Sequence, residues 1–373
     1  MILIMNSQKR KNIRYFCALL PLILIIPGCS FPRQKIIDDV QLPKVLGFDK
    51  VDNQYVGTAL YSDYTGDEKE GGSSILQGKG RKSHLIKQSI NAQSPKPLEI
   101  GKLNLVIFGK ELAENGVSYF VKTVCRDPLI GSNMLVAVSE ETAEEILMKN
   151  KDRNSNYPYK MIEQNYRTQN VPIPTLQSFL FDFYGDGRDP SLPYLKINQK
   201  GNIEVNGLAV LKKDRLGLIL NQKESFLYKI LRGRVIRGQT EFNIHKGQSE
   251  DSVILAILYG KNKKSIINKG SKSKVTFNIT LNGMVKDFPD WLDLRKKQNN
   301  LLLKKQLEKQ MKKDFEKLFV KFQMHQVDPL GIGDFARANS KKWNEKEFYE
   351  KVYPTISLDI NLKIELSQAG IGE

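Results

Sequence analysis

LNLVIFGKELAENGVSYFVKTVCRDPLIGSNMLVAVSEETAEEILMKN, residues 103–150, alternates between two kinds of local order. LNLVIFG and NMLVAVS are short, continuously apolar runs, as expected of strands buried on both faces. Between and after them, KELAENGVSYFVKTVCRD, broken near Gly116, and EETAEEILMKN carry apolar residues at helical spacing. Ser139, ahead of Glu141 and Thr142, is placed to start the second helix, because a hydroxyl oxygen can accept from a first-turn amide. Strand, helix, strand, helix predicts a mixed α/β unit with a partly parallel sheet.

Upstream, IDDVQLPKVLGFDKVDNQYVGTALYSDY reads as two strands separated by the turn residues of GFDKVDNQ. The Gly- and Ser-rich TGDEKEGGSSILQGKG reads as a loop, and SHLIKQSINAQ as a helix. Downstream, Pro158, Pro172, Pro174, Pro190 and Pro193 predict a surface connector over 157–193. YLKINQKGNIEVNGLAVLKKDRLGLILN then reads as strands joined by short turns, an antiparallel meander, with further strands in RGRVIRGQTEFNIHKG and SKVTFNITLNGMVKDF. Leu307, Met311, Phe315, Leu318 and Phe322 share one face of a long helix within 297–323, their lysine neighbours pointing outward. TISLDINLKIEL alternates as a half-buried last strand. The chain is therefore expected to be α+β: a mixed α/β N-terminal part, residues 29–195, and a C-terminal part, residues 196–373, with an antiparallel sheet and a long packed helix.

Residues 1–28 read as an export signal. Lys9, Arg10, Lys11 and Arg14 precede an apolar block from Tyr15 to Ile26 that is shorter than the roughly 20 residues a membrane-spanning helix needs. The block ends at Pro27-Gly28-Cys29, an arrangement that resembles a bacterial lipobox, in which the cysteine is diacylated and becomes the mature N-terminus. Pro27 departs from the small residue usual there, and an ordinary export signal or a buried cysteine is the competing reading. Cys17 leaves with the signal, so an acylated Cys29 would leave Cys125 without a disulfide partner. Among apolar neighbours in FVKTVCRDP, Cys125 reads as a packed small side chain.

The formal net charge is +17, and loss of the four signal charges leaves +13. Such an excess attracts polyanions. GKNKKSIINKGSKSK, residues 260–274, is the densest patch and has no aromatic side chain on which bases would stack, which argues against nucleic acid. It reads as a solvated loop between strands or, alternatively, as a contact for an anionic membrane or partner through Lys261, Lys263, Lys264 and Lys269.

The chain contains no HExxH, GxSxG or GxxxxGK[ST] pattern. GIGDFA fits a dinucleotide fingerprint in letters, but a helix precedes it where a strand is required, and it reads as a structural loop. DFYGDGRDP, with Asp182, Asp186 and Asp189, lacks the terminal Glu of a calcium loop and reads as turn chemistry. Neither catalytic residue, metal nor cofactor is called for, and a binding or assembly role is favoured.

Several segments together resemble the Ger(x)C family, the lipoprotein C subunits of spore nutrient germinant receptors. They are the signal with Cys29, IDDVQLPKVLGFD with Gly47 and Asp49, GKLNLVIFGKELAENGV followed by Arg126-Asp127-Pro128, GRDPSLP at 187–193, VNGLAVLKKDRLGLILNQKES, and VDPLGIGDFARANSKKW. Ser30-Phe31 stands where the family often has Trp, and NGMVKDFP at 282–289 replaces an acidic turn. The resemblance implies a non-enzymatic, lipid-anchored subunit on the outer face of the spore inner membrane, partnered by two integral membrane subunits and serving assembly or signal relay. A solute-binding lipoprotein of a transporter, or a lipid-anchored enzyme acting on cell-wall material, are the alternatives.

Overall fold

The computed structural model describes residues 39–62, 72–168, 171–233, 237–269, 272–340 and 342–367, with the side chains of 267–269 and 272 outside that description. The signal and Cys29 lie outside the described residues. From Gln41 onward the chain forms one compact unit.

Its first sheet has eight strands: β1 (Pro43–Val51), β2 (Gln54–Ser62), β3 (Ser73–Gly80), β4 (Leu105–Gly109), β5 (Leu135–Ser139), β6 (Ser191–Ile197), β7 (Ile203–Lys212) and β8 (Arg215–Leu220), in the order β3-β2-β1-β4-β5-β6-β7-β8. The contacts β1–β4, β4–β5 and β5–β6 are parallel and the others antiparallel. Every residue of β4 and β5 is buried. Leu105 and Ile107 face one core, while Val106 and Phe108 face the other. Both faces of the central strands are covered, which is why their sequence does not alternate.

Helices α1 (Ser83–Asn91), α2 (Lys110–Asn115), α3 (Ser118–Cys125) and α6 (Leu176–Phe183) contribute to one core; α4 (Ala143–Met148), α5 (Tyr157–Thr168) and α7 (Gln222–Arg232) contribute to the other. Residues 157–193 thus differ from the expected surface connector. Ile162, Leu176 and Phe179 are buried, and Pro158 is the second residue of α5, where its missing N–H has no helical partner to lose. SSILQGKG is strand β3 rather than loop. Its Gly78 lies under α1, where a Cβ would stand 2.4 Å from the Ile86 carbonyl oxygen. The sheet also runs through the 195/196 junction, since β6 spans it.

The second sheet contains β9 (Gln239–Lys246), β10 (Ser249–Lys269), β11 (Lys272–Asp287) and β12 (Ser357–Leu366), in the order β12-β11-β10-β9. The basic segment 260–274 is therefore mostly the far part of a long hairpin. β12 pairs parallel to β11, a geometry no tight turn can make, and α8 (Lys297–Met324) supplies the crossover. Leu303, Leu307, Met311, Phe315, Leu318, Phe319 and Phe322 are the buried stripe of α8 and pack in one core with Phe277, Ile279, Leu281, Ile360 and Ile364.

Phe315 is fully buried at the centre of that stripe. Phe315→Ala should lower unfolding free energy by about 3–5 kcal/mol through lost transfer energy and a residual cavity. Lys309→Ala on the exposed face should change it by less than about 0.5 kcal/mol, both read from urea denaturation midpoints.

Candidate functional site

Seven consecutive residues after α8, Val327 to Gly333, are buried although the first five belong to no helix or strand. A buried loop must find partners for its own carbonyls. Here each of the first five is satisfied from elsewhere in the fold. Tyr353 Oη donates to the Val327 carbonyl at 2.7 Å, the Asp189 amide to that of Asp328 at 3.0 Å, and Tyr228 Oη to that of Pro329 at 3.2 Å. Lys264 Nζ donates to the carbonyls of Leu330, at 2.8 Å, and Gly331, at 3.2 Å.

Asp328 organises the loop from inside. Its Oδ1 accepts from the Ile332 amide at 3.0 Å, and its Oδ2 accepts from the Gly333 amide at 2.7 Å and from Tyr349 Oη at 3.0 Å. These amides belong to the first turn of α9 (Ile332–Ala338), so the carboxylate caps that turn from four residues upstream. Burial pushes the Asp328 carboxyl up to about 6 against the lowering effect of these donors. Asp189 answers it: Oδ2 accepts from the Asp328 amide at 2.7 Å and Oδ1 from the Lys213 amide at 3.0 Å.

Thus GRDPSLP and VDPLGIGDFA, far apart in the chain, meet backbone to backbone. The Asp334 amide donates to the Gly187 carbonyl at 2.7 Å, and Arg188 lies 3.4 Å from the Asp334 carboxylate. Gly187 has φ +75°, and a Cβ there would stand 2.3 Å from the Asp334 nitrogen. Glycine is required at that position by both conformation and space. Beneath the contact, Arg232 pairs with the buried Asp182 and donates to Tyr228 Oη at 2.5 Å. Beside it lies an open cleft of ≈ 670 Å³, lined by Tyr184, Asp186, Arg188, Lys212, Glu345 and Tyr349 among others. Two of its carboxylates are engaged: Asp189 Oδ2 lies 3.6 Å from Lys212 Nζ, and Glu345 accepts from the Gly187 amide. The carboxylates act as clamps on backbone amides.

A second clamp lies in the first sheet. Asp49 Oδ1 accepts from the Ala143 amide at 2.7 Å and Oδ2 from the Glu144 amide at 3.0 Å, so β1 caps α4. Gly47 and Gly109 leave room for this approach; a Cβ on Gly109 would fall 2.0 Å from Asp49 Oδ1. The α4 N-cap is Thr142, closed into a capping box with Glu145, whereas Ser139 Oγ donates to the Glu141 carbonyl instead of capping. Burial raises Asp49 to about 6 as well.

The family described as "Spore germination protein N-terminal domain" matches residues 33–197, and that described as "Spore germination B3/ GerAC like, C-terminal" matches residues 206–370. The chain belongs to the Ger(x)C family of spore germination proteins. "Spore germination protein GerQC" of Bacillus cereus is 26% identical over 357 residues, covering 94% of this chain and 98% of the relative. "Putative spore germination protein YfkR" of Bacillus subtilis (strain 168) is 22% identical over 382 residues, covering 97% of this chain and 98% of the relative. The crystal structure of the GerBC protein superposes with a TM-score of 0.56 at 15% identity, covering 86% of this chain and 96% of that one. The α+β fold is thus shared, and of the segments that carried the family resemblance, those holding Asp49, Gly109, Gly187 to Asp189, Lys213 and Asp328 contribute to the two clamps.

The four lysines singled out in the basic segment of this Ger(x)C chain do not act alike. Lys261 and Lys263 are exposed on β10, while Lys264 turns inward to the loop carbonyls, and burial lowers its ammonium's pKa. It is a structural donor and does not share the outer face of its neighbours. The side chain of Lys269 lies outside the described residues, as does Cys29. Cys125 is exposed rather than packed, contrary to its apolar sequence context. Among the described residues no group of three or more His, Cys, Asp or Glu is arranged to hold a metal. Sequence reasoning missed the Asp49 and Asp328 clamps, whose only local signal is an Asp ahead of glycine-rich backbone in DPLGIG.

Replacing Asp328 by Asn puts an NH₂ group where one carboxylate oxygen accepts. Asp328→Asn should therefore cost about 1–3 kcal/mol of stability, measured by chemical denaturation. Asp49 and Asp328 both hold their protons to about pH 6 when folded, against an ordinary value of 3.8. The stability they contribute is fully present below about pH 4 and is lost as pH rises through about 6. The thermal midpoint should fall less between pH 4.5 and 7 in Asp49→Asn than in wild type.

Proposed function

We propose that this Ger(x)C chain is a lipid-anchored, non-enzymatic subunit of a spore nutrient germinant receptor. It would sit on the outer face of the spore inner membrane beside two integral membrane subunits and serve receptor assembly or signal relay. The observation that carries this reading is the family match over both halves of the chain, together with relatives named for spore germination along nearly their whole length. No described helix is long and apolar enough to cross a membrane; attachment is assigned to an acylated Cys29 because that cysteine stands at the apolar-to-polar break of the export signal. Two acyl chains suffice for this, because each buried methylene contributes about 0.8 kcal/mol. The buried carboxylates support a non-enzymatic role, since their oxygens are occupied by backbone amides and a tyrosine. We take 29–195 and 196–373 as sequence modules rather than separately folding bodies, since β6 runs through their junction.

Deletion of the gene from the source bacterium should abolish the spore response to a nutrient among amino acids and nucleosides. Wild type should restore it, and Cys29→Ala should not, with that variant found in the soluble fraction. A Cys29→Ala protein that stays with the membrane and supports normal germination would overturn the anchoring assignment.

A further inference from the structure

Eight lysines and three acids occur along α8. Two of the acids are engaged on its inner flanks: Glu308 accepts from the Ile364 amide, and Asp314 pairs with Lys223. Lys321 pairs with Glu224. On the outward side, Lys305, Lys309, Lys312, Lys313 and Lys317 form no ion pair among the described residues, and Glu316 is the one carboxylate interspersed with them. At 100° per residue, Lys305, Lys309, Lys312 and Lys313 fall within about 100° of arc, with Lys317 at its margin. Leu301 and Leu302 bracket this face at one end, at 48% and 43% exposure, and Val320 and Met324 at the other, at 50% and 77%. From Leu301 to Met324 the face runs about 35 Å in a straight row.

We infer that this outward face of α8 docks on an anionic lipid surface, its lysines meeting headgroup phosphates and its terminal apolar side chains reaching the acyl boundary. A long, rigid, shallow row of cations with apolar ends complements a charged plane that has an apolar layer beneath it. Each lysine near such a surface contributes about 1 kcal/mol, and the attraction fades within a Debye length. The opposite face of α8 is buried in the core, so the helix lies on the surface without inserting.

The hairpin lysines cannot share this plane. In β10 and β11, Lys264 pairs with Phe277 and Asn262 with Ile279, on the face that packs against α8. Lys261 pairs with Thr280 and Lys263 with Asn278, which places them on the far face of the same sheet. There, Lys274 and Lys363 are already paired with Asp359 and Glu365. The α8 face holds the larger unpaired charge.

The test uses the chain from residue 30 onward, without acyl group or signal, which keeps every described strand and helix of the compact unit. The result therefore stands independently of whether Cys29 is acylated. Co-sedimentation with vesicles of phosphatidylglycerol and phosphatidylcholine should show binding that falls steeply from 50 to 500 mM salt and is absent with phosphatidylcholine alone. Lys305→Gln/Lys309→Gln/Lys313→Gln should lower the partition coefficient by about 100-fold with an unchanged melting temperature. Lys261→Gln/Lys263→Gln should leave it within about threefold of wild type. Wild-type failure to bind anionic vesicles, equal binding to neutral ones, or loss only in the hairpin variant would each overturn the assignment. So would retention by immobilised polyglutamate without vesicle binding, which would transfer the face to an acidic protein partner.

Discussion

Two parallel strands cannot be joined by a tight turn, and among the described residues four strand contacts are parallel: β1–β4, β4–β5, β5–β6 and β11–β12. Each needs a crossover, and the crossovers bring the helices that bury the sheets. The demand then passes to the helix ends, where amides and carbonyls have no helical partner. Asp49 meets it at the start of α4, where the connection between β5 and β6 begins, and Asp328 meets it just past α8, on the way from β11 to β12. Both acids are buried because the crossovers that need them are buried.

This demand separates what is legible in the sequence from what is not. β4, β5 and the α8 stripe are visible because burial on two faces, or on one helical face, imposes a composition that no other arrangement explains. The edge strand β3 is concealed because packing α1 upon it requires Gly78 and Gly80, and glycine otherwise reads as loop. In β10 the outward Lys261 and Lys263 alternate with inward Asn262 and Lys264, so the strand period is carried by polar groups on both sides. Hydropathy cannot detect such a strand. The clamps are less visible still: Asp49 acts on amides 94 and 95 residues away, and sequence order contains no trace of that contact. Gly47 and Asp49 were noticeable only through the family resemblance, and the structure supplies their physical reason.

Charge follows the same logic. Lysines near the buried loop, such as Lys264 and Lys212, serve carbonyl and carboxylate groups of the fold, and Lys321 and Lys223 tie α7 to α8. On α8, the lysines that have no such fold partner lie on its solvent side. A net charge read from composition does not distinguish these populations; only burial and pairing do.

The Asp189–Asp328 contact joins the entry to β6 in the first sheet with the segment that ends α8 beside the second. Its two hydrogen bonds run in opposite directions, from the Asp189 amide to the Asp328 carbonyl and from the Asp328 amide to the Asp189 carboxylate, and the Asp334 amide meets the Gly187 carbonyl with no side chain between them. The junction therefore ties the segment that follows α8 directly to the entry of β6. Rigidity transmits position, whereas a switch requires a second arrangement of comparable energy, and the satisfied carbonyls from Val327 to Gly331 disfavour one within the loop itself. Any alternative arrangement is then better sought on the exposed surfaces of the body than in a rearrangement of this junction.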